Sequence, residues 1–397
     1  MTAGHTSGFG LENLPYGVFS RGDDRQADDR RRIGVAFGDD VLDVGAAAAG
    51  GPFEALLTAP VLNPLLAAGR ATWTAVRAAI TEWLRDPATS AYLVPRSEVT
   101  MHLPFEVGDY VDFYSSEHHA TNVGKIFRPD SAALTPNWKH LPIGYHGRSG
   151  SIVVSGTPVV RPKGQRKGPQ DPAPVFGPSV RLDIETEVGF VVGTGSPLGS
   201  TVPVEDFTEH VFGVFLLNDW SARDLQAWEY VPLGPFLGKS FATSISPWVV
   251  PLDALEAARV APPARDPEPL PYLRDNGDWG LDLAIEVRIN GHLVSTPPFA
   301  GMYWTPAQQL AHMTINGAPT RPGDVYASGT VSGAGKGEYG SLLEMSWGGA
   351  EPLTLPDGTT RTFLEDGDEV VISATAPGPD GSCIAFGEVA GRIEPAT

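Results

Sequence analysis

Short apolar runs separated by glycine and proline turns dominate this chain of 397 residues. The 46 glycines and 37 prolines are spread along its whole length, and the runs are rich in β-branched and aromatic residues, as strands are. The runs lie at Ser151–Gly156, Val188–Val192, Val211–Leu217, Leu283–Ile289 and Glu369–Ser373. Asn290-Gly291 predicts a hairpin turn, and Tyr303–Met313 predicts a helix with Thr305 as its N-cap. The pattern therefore predicts a mainly β protein of the α+β class.

The first hundred residues form a separate unit in this pattern. Two short strands are predicted on either side of Gly38-Asp39-Asp40, and apolar spacing predicts helices at Phe53–Ala68 and Trp73–Asp86. A chain of this length is typical of two domains. We therefore expect a small N-terminal domain, residues 1–103, and a larger domain, residues 104–397.

Charge and composition exclude several classes of protein. The formal net charge of −19 argues against a nucleic-acid partner, because such partners require basic patches. It leaves an anionic substrate possible, since a few cations can still gather in one pocket. The single cysteine, Cys383, forms neither an internal disulfide nor a thiolate metal cage. No apolar run reaches the ~20 residues that span a bilayer, and the N-terminus lacks the features of a secretory signal, so we expect a cytoplasmic protein without membrane contact.

The first chemically suggestive segment is Asp109–Asn122. Alternation along an extended strand places Asp112 and Tyr114 on one face. Ser115 or Ser116 then caps a short helix that carries His119. The turn would bring a carboxylate, a phenol and an imidazole to one pocket wall. The alternative is a polar turn with a histidine on the surface.

The second segment, Arg181–Val192, carries three acidic residues at alternate positions. Asp183, Glu185 and Glu187 share one face of the predicted strand, where like charges repel. A hard cation such as Ca²⁺ or Mg²⁺ takes oxygen ligands and would convert this repulsion into attraction. The apolar residues Val188–Val192 make the strand look buried. The alternative is a solvated edge strand.

The third segment follows the apolar strand Val211–Leu217. Asp219 lies where this strand ends, Ser221 is a candidate N-cap for the next helix, and Arg223 and Gln226 share a face of that helix. Strand ends at the rim of a sheet commonly carry functional groups. The alternative is that Asp219 only caps a helix.

Two loops complete the candidate site. Lys239 lies in an apolar, Gly/Pro-rich loop, where a lysine requires a partner such as a carboxylate cluster. The stretch Ala327–Gly333, followed by Glu338–Glu344, is a Gly/Ser/Thr loop, and its backbone amides suit an anionic group. Neither a phosphate-binding glycine loop nor a His-x-x-x-His zinc pattern is convincing in this sequence.

Taken together, these stretches resemble the fumarylacetoacetate hydrolase family, and the resemblance covers nearly the whole chain. The matching stretches are Phe9–Gly17, Asp109–Asn122, His140–Arg148, Asn218–Gln226, Tyr230–Thr243 and Ser328–Glu344. The resemblance implies a small SH3-like N-terminal β-barrel domain and a large mixed β-roll catalytic domain. It also implies a homodimer formed through the larger domain.

The resemblance also implies a role for individual residues. The implied metal ligands are Asp112, Glu185, Glu187 and Asp219, with Lys239 and Thr243 where the family holds a second Mg²⁺. The implied catalytic residues are the general base His119, Glu344 that orients it, and Arg223, Gln226 and Lys239 around the oxyanion. The implied substrate contacts are Tyr114, Arg128, Tyr145, Gln226, Tyr230 and Thr330. The implied cofactor is Ca²⁺, Mg²⁺ or both.

The implied activity is metal-dependent hydrolysis of the carbon–carbon bond of a small β-diketo acid, 4-fumarylacetoacetate. The products would be fumarate and acetoacetate, in the last step of tyrosine and phenylalanine catabolism. The alternatives are a related acylpyruvate-type hydrolase and a non-catalytic calcium-binding module. The sequence departs from the family pattern at Glu117-His118, where a basic or amide pair is expected, and in the loop Ala334–Tyr339.

Overall fold

A computed structural model describes residues 8–22, 31–275 and 277–397. Residues 1–7, which begin the stretch where we expected no secretory signal, lie outside this description. The first unit is built on one antiparallel sheet, in which the strands follow the order β4-β3-β2-β1-β5. Its strands are β1 Tyr16–Arg21, β2 Arg32–Phe37, β3 Asp40–Asp43, β4 Leu93–Pro95 and β5 Val99–His102. The predicted hairpin at Gly38-Asp39-Asp40 is confirmed by the β2–β3 pairing. The SH3-like barrel stays a prediction.

The helices of this unit match the prediction only in part. They are α1 Val44–Ala47, α2 Glu54–Leu57, α3 Asn63–Ala67 and α4 Arg70–Arg85. The single helix predicted over Phe53–Ala68 is wrong, because it is split into α2 and α3. Pro60 lies between the two pieces, and a proline inside a helix removes a hydrogen bond and clashes with the preceding turn. The second predicted helix is confirmed as α4, which buries Trp73, Val76 and Ile80 on one face.

The larger unit carries the remaining strands. They are β6 Tyr110–Phe113, β7 Gly144–His146, β8 Ile152–Val154, β9 Val159–Val160, β10 Lys163–Arg166, β11 Val175–Pro178, β12 Leu182–Asp183, β13 Thr186–Val192, β14 Val211–Asp219, β15 Ser221–Ala222, β16 Thr243–Ile245, β17 Val250–Pro251, β18 Arg259–Val260, β19 Gly280–Leu281, β20 Ala284–Ile289, β21 His292–Ser295, β22 Val325–Ala327, β23 Leu353–Thr354, β24 Thr360–Arg361, β25 Glu369–Pro377 and β26 Cys383–Glu394. The mainly β, α+β class is confirmed.

Two sheets of this unit enclose its main core. The strands of the first run in the order β7-β6-β22-β13-β14-β16-β8, with β17 also paired to β14. Every residue of β13 and β14 is buried, as continuous apolar strands in the middle of a covered sheet should be. The second sheet has the order β21-β20-β25-β26-β9. Its predicted hairpin is confirmed, since Asn290 and Gly291 adopt φ of 51° and 80° between β20 and β21.

The helices of the larger unit are few and mostly short. They are α5 Glu117–Phe127, α6 Phe207–His210, α7 Arg223–Glu229, α8 Pro306–Thr314 and α9 Leu342–Met345. The predicted N-cap Thr305 is confirmed, because its side chain and that of Gln308 form a reciprocal capping box at α8. Within the described ranges, none of the helices has the length and apolar character needed to span a membrane.

Candidate metal centre and catalytic site

Four carboxylates converge at one end of the central sheet. Asp112 lies on β6, Glu187 on β13 with Glu185 just before it, and Asp219 ends β14. Strand β13 pairs with β14 on one side and with β22 on the other, and β22 pairs with β6, so the acidic positions meet across neighbouring strands. One oxygen from each carboxylate lies within 4.8 Å of the others, and all four side chains are buried. The fold therefore brings together carboxylates from three separate segments of the chain.

The electrostatics of this cluster favour a hard cation. Burial raises the pKa of Asp112 and Glu187 well above the usual carboxyl range, and the neighbouring carboxylates raise it further. Asp112 Oδ1 and both carboxylate oxygens of Glu187 have no hydrogen-bond partner in the described structure. Buried oxygens without donors are costly to leave alone and are the ligands that Ca²⁺ and Mg²⁺ prefer. The residues present thus fit a divalent metal.

Asp183 does not join this cluster, which corrects the expectation that three alternate acids share one face. Strand β12 ends at Asp183 and β13 begins at Thr186, so two residues outside a regular strand interrupt the alternation. The carboxylate of Asp183 instead accepts a hydrogen bond from Arg223 Nε at 2.8 Å. Only Glu185 and Glu187 of the three acids contribute to the cluster.

His119 and Glu344 form a buried pair beside the cluster. Ser116 is the N-cap of α5 and accepts the His119 backbone N–H at 3.2 Å, which sets the start of the helix. His119 Nδ1 lies 2.7 Å from Glu344 Oε2, and His119 Nε2 lies 3.9 Å from Glu185 Oε1. The ring therefore has one nitrogen on Glu344 and the other toward the acidic cluster. His118, one residue earlier, is exposed.

The Glu344 carboxylate is held as an anion. Burial alone would raise its pKa, but the His119 ring and hydrogen bonds from neighbouring side chains lower the pKa of Glu344 below its usual value. Those bonds come from Asn122 to Oε1 at 2.9 Å and from Ser332 and Ser341 to Oε2, each at 2.8 Å. An anion in this position favours the His119 tautomer that carries its proton on Nδ1.

Two buried cations also bind carboxylates of the cluster. Lys239 Nζ donates to Asp219 Oδ2 at 2.6 Å and also to Glu185 Oε2. Arg223 Nη2 donates to Glu185 Oε1 at 2.8 Å, while its Nη1 donates to Gln226 Oε1 at 3.2 Å. Burial would lower the pKa of Lys239, but the two carboxylates raise it by more, so the amine stays charged. These two cations lower the pKa of Glu185 against the effect of its burial.

The predicted N-cap role of Ser221 is wrong. Helix α7 has Ala222 at its N-cap without any side-chain hydrogen bond. Ser221 lies in the short strand β15, and its hydroxyl donates to the Asp219 carbonyl at 2.9 Å. The hydroxyl therefore stabilises the turn that follows Asp219. Because β15 pairs with β12, Ser221 belongs to a strand and the helix begins after it.

Some of the residues expected to contact substrate are buried or lie beside the cluster, and others are exposed. Tyr145 Oη donates to Asp219 Oδ2 at 3.2 Å, and the Tyr114 ring meets the His119 ring edge-on at 5.4 Å between centroids. Thr330 is buried, and its hydroxyl has no hydrogen-bond partner in the described structure. Arg128 and Tyr230 are exposed and form no hydrogen bond to the cluster in the described parts of the chain. Thr243, expected at a second metal, donates to Asp219 Oδ1 at 3.1 Å.

Comparison with known proteins assigns this arrangement to a family. The family model described as fumarylacetoacetate (FAA) hydrolase C-terminal matches residues 110–394, and the fumarylacetoacetase N-terminal model matches residues 12–104. The chain belongs to the fumarylacetoacetate hydrolase family. Among its relatives in this family, it is 47% identical to the fumarylacetoacetase of Homo sapiens, over 98% of this chain and 97% of that protein. It is 49% identical to the fumarylacetoacetase of Caenorhabditis elegans with the same coverage.

Several solved structures share the fold at much lower sequence identity. The fumarylacetoacetate hydrolase of the psychrophilic Exiguobacterium antarcticum superposes with a TM-score of 0.58 at 20% identity, covering 97% of this chain and 100% of that one. The maleylpyruvate hydrolase of Sphingobium sp. SYK-6, solved with manganese(II) and pyruvate, gives a TM-score of 0.54 at 16% identity, with coverage of 97% and 100%. At these identities the likeness concerns the fold alone.

Sequence reasoning missed the side chains that hold Glu344. Ser341 and Glu344 form a Ser-x-x-Glu pattern, which is typical of a helix N-terminus, and Ser341 is indeed the N-cap of α9. Asn122 lies three residues after His119 on α5 and therefore on the same face of that helix. Both signals are present in the sequence of this family member, whereas Ser332 belongs to no local pattern that points to Glu344.

The departure at Glu117-His118 lies away from the cluster. Glu117 Oε1 accepts from Lys139 Nζ at 2.7 Å in a solvent-accessible ion pair at the start of α5. Because this carboxylate is paired with a lysine, the lysine compensates much of the effect that its negative charge would have on His119. The exposed His118 points away from the buried side of the helix, since consecutive helical residues differ in direction by about 100°.

Proposed function

We propose that this chain hydrolyses the carbon–carbon bond of 4-fumarylacetoacetate to give fumarate and acetoacetate. The observation that carries the proposal is the buried His119–Glu344 pair, whose second ring nitrogen faces four clustered carboxylates. Relatives that share almost the full length of the chain bear the name fumarylacetoacetase. The proposal includes the place of this reaction as the last step of tyrosine and phenylalanine catabolism.

Asp112, Glu185, Glu187 and Asp219 would hold a Ca²⁺ or Mg²⁺ ion. When bound, such an ion supplies a Lewis acid that draws electron density from the oxygens of a β-diketone. Lys239 and Thr243 are proposed ligands of a second Mg²⁺. A protonated ammonium has no lone pair, so Lys239 would contribute its backbone carbonyl there, and Thr243 its hydroxyl.

His119 is the proposed general base. Its Nε2 takes a proton from the attacking water, while Glu344 accepts a hydrogen bond from Nδ1–H and stabilises the imidazolium that forms. The remaining hydroxide bonds to the carbonyl carbon next to the fumaryl arm. Cleavage then leaves the electron pair of the broken bond on the acetoacetate carbon, which takes up a proton. Positioned acid–base catalysis of this kind contributes ~10²–10⁴-fold in rate.

The charge that develops on the attacked carbonyl oxygen requires donors, and three lie beside the cluster. Arg223 and Lys239 are cations in a buried site, where their effect on an anion is much larger than in water. The oxygen of the Gln226 amide is occupied by Arg223, which leaves its NH₂ group available. We assign these three residues to the oxyanion.

Polar side chains around the acidic cluster would bind the remainder of the substrate. The proposed contacts are Tyr114, Arg128, Tyr145, Gln226, Tyr230 and Thr330. The unpartnered hydroxyl of Thr330 supports this assignment, because a buried hydroxyl without a partner is stabilised by a polar ligand atom. Arg128 supplies a cation for one of the two substrate carboxylates.

We further propose a homodimer formed through the larger domain. Large apolar side chains are exposed along the loop after α7 and on the hairpin β10–β11, among them Leu233 at 97% and Phe176 at 75% exposure. Exposed large apolar side chains in such numbers favour a protein interface. The domain division at residues 103 and 104, the SH3-like character of the first domain and a cytoplasmic location are parts of the same proposal.

Loss of fumarylacetoacetate absorbance on addition of the purified protein tests the function directly. The same assay with an acylpyruvate separates the two hydrolase classes. His119→Ala that still binds metal and lacks activity is expected for the enzyme. A metal-loaded wild-type protein without turnover of either substrate would contradict the proposal and favour a calcium-binding module.

A further inference from the structure

Four hydrogen-bond donors converge on the Asp183 carboxylate, which has no exposed surface. Oδ1 accepts the backbone N–H groups of Ile184 at 2.8 Å and Leu342 at 2.7 Å. Oδ2 accepts Arg223 Nε at 2.8 Å and the backbone N–H of Leu343 at 3.1 Å. Two bonds to each oxygen satisfy the acceptor capacity of the carboxylate. Asp183 therefore ties together three segments that are distant in sequence.

These segments carry the two halves of the catalytic apparatus described above. Arg223, which donates to Asp183, also donates a hydrogen bond to Glu185 in the acidic cluster. Leu342 and Leu343 are the first two residues of α9, and Glu344 is the third. A helix of one turn is not stable by itself, so its position depends on the contacts of its ends. Asp183 provides two of those contacts.

We propose that Asp183 is a positioning residue, which sets α9 and Arg223 relative to each other. It keeps Glu344 directed at His119 while Arg223 stays directed at Glu185. This inference rests on the proposed hydrolase function, in which Glu344 orients the base and Arg223 faces the oxyanion. The hydrogen bonds of Asp183 in the described structure go neither to His119 nor to the cluster of four carboxylates.

Asparagine is the most informative replacement for Asp183, because it preserves the shape of the side chain and removes its negative charge. All four partners of Asp183 are N–H donors, so the NH₂ group of an asparagine would face two of them. Either the pair Arg223 and Leu343 or the pair Ile184 and Leu342 then loses its acceptor. Substitution of groups that orient catalytic or metal-binding residues typically lowers activity about 10- to 100-fold.

Asp368 offers a matched control. It is also buried, and its carboxylate accepts two bonds from Arg361, each at 2.8 Å, together with bonds from Asn290 and the Glu365 backbone. It lies just before β25 in the second sheet and contacts none of the proposed catalytic residues. Asp183→Asn should lower kcat about 10- to 100-fold with KM and metal affinity within about threefold. Asp368→Asn should lower the melting temperature and leave kcat within about twofold.

A measurement that does not require turnover tests this inference separately from the proposed function. Selective ¹⁵N labelling of histidine allows the His119 Nδ1–H resonance to be followed in the metal-loaded protein. Asp183→Asn should shift or broaden this resonance, and Asp368→Asn should leave it unchanged. If wild-type protein fails to hydrolyse fumarylacetoacetate, the proposed function is wrong, but the resonance still reports on Asp183.

A second pair of variants covers the case in which Asp183→Asn does not fold. Leu342→Pro removes one N–H that Asp183 accepts, at a first-turn position that tolerates proline after the extended Ser341. Leu342→Ala retains the N–H and loses similar packing. A greater loss of kcat in the proline variant supports the inference. Equal kcat in these two variants, or Asp183→Asn with a normal kcat and a normal His119 resonance, would overturn it.

Discussion

Replacing Lys239 with methionine removes an ammonium group that contacts two of the clustered carboxylates. Lys239 is 7% exposed, and its Nζ binds both Asp219 and Glu185. Methionine has a similar length and no charge, so it fills the same volume. The substitution therefore leaves two buried carboxylates without their shared cation, while the packing of the loop changes little.

The magnitude follows from this burial. Removing one partner of a buried ion pair typically destabilises a protein by ~3–5 kcal/mol, because the other charge stays buried. We expect this loss in metal-free protein and a smaller loss with Mg²⁺ or Ca²⁺ present, since a divalent cation neutralises the same carboxylates. The raised pKa of Lys239 means that its stabilising effect is complete below the unfolded lysine pKa of about 10.4. The deficit should therefore be constant from about pH 6 to pH 9 and shrink only as the pH rises through the folded pKa.

Lys139 provides the control, because it is a lysine with one carboxylate partner at the surface. Its side chain is 35% exposed and its ion pair with Glu117 is accessible to solvent, so Lys139→Met should change stability by less than ~1 kcal/mol. Denaturant unfolding with and without chelator measures both variants. In steady-state kinetics Lys239→Met should lower kcat ~10²–10³-fold, the usual effect of removing one oxyanion donor, with a much smaller rise in KM. A Lys239→Met enzyme with near-normal kcat would refute the reasoning and leave the oxyanion to Arg223 and Gln226.

Four further outcomes are expected. His119→Ala should lower kcat at least ~10²-fold without unfolding the protein, whereas His118→Ala should retain activity; the reverse order in a kinetic assay would show that the wrong histidine was assigned. Glu344→Gln should lower kcat by about 5- to 30-fold, since exchanging a charge-assisted hydrogen bond for a neutral one loses ~1–2 kcal/mol, and an unchanged kcat would argue against its orienting role. Chelation should abolish turnover and Mg²⁺ or Ca²⁺ should restore it, while a requirement for zinc would contradict a carboxylate-only site. Because burial and mutual repulsion raise the pKa of Asp112 and Glu187, the metal-free protein should lose thermal stability as the pH rises above about 5, and metal-loaded protein should not.

Local patterns in the sequence were sufficient for features that depend on neighbours along the chain. The hairpin at Asn290-Gly291 follows from two residues that tolerate positive φ, and the cap at Thr305 follows from its side-chain oxygen. A lysine in apolar surroundings predicts a carboxylate partner, and Lys239 has two. The family resemblance could be drawn from the sequence because its motifs are long and occur in order.

Tertiary structure alone decided which of these residues meet. His119 and Glu344 are 225 residues apart, and no period along the chain reports that α5 and α9 are adjacent. Asp183 shows most clearly what a local pattern cannot predict. Alternation placed its side chain on one face with Glu185 and Glu187. Two residues outside a regular strand interrupt that alternation, and the Asp183 carboxylate binds Arg223 and α9 instead. Strand periodicity reports the direction of a side chain relative to its own strand only. The order β6-β22-β13-β14, set by burial of the apolar strands against one another, determines which carboxylates share a site.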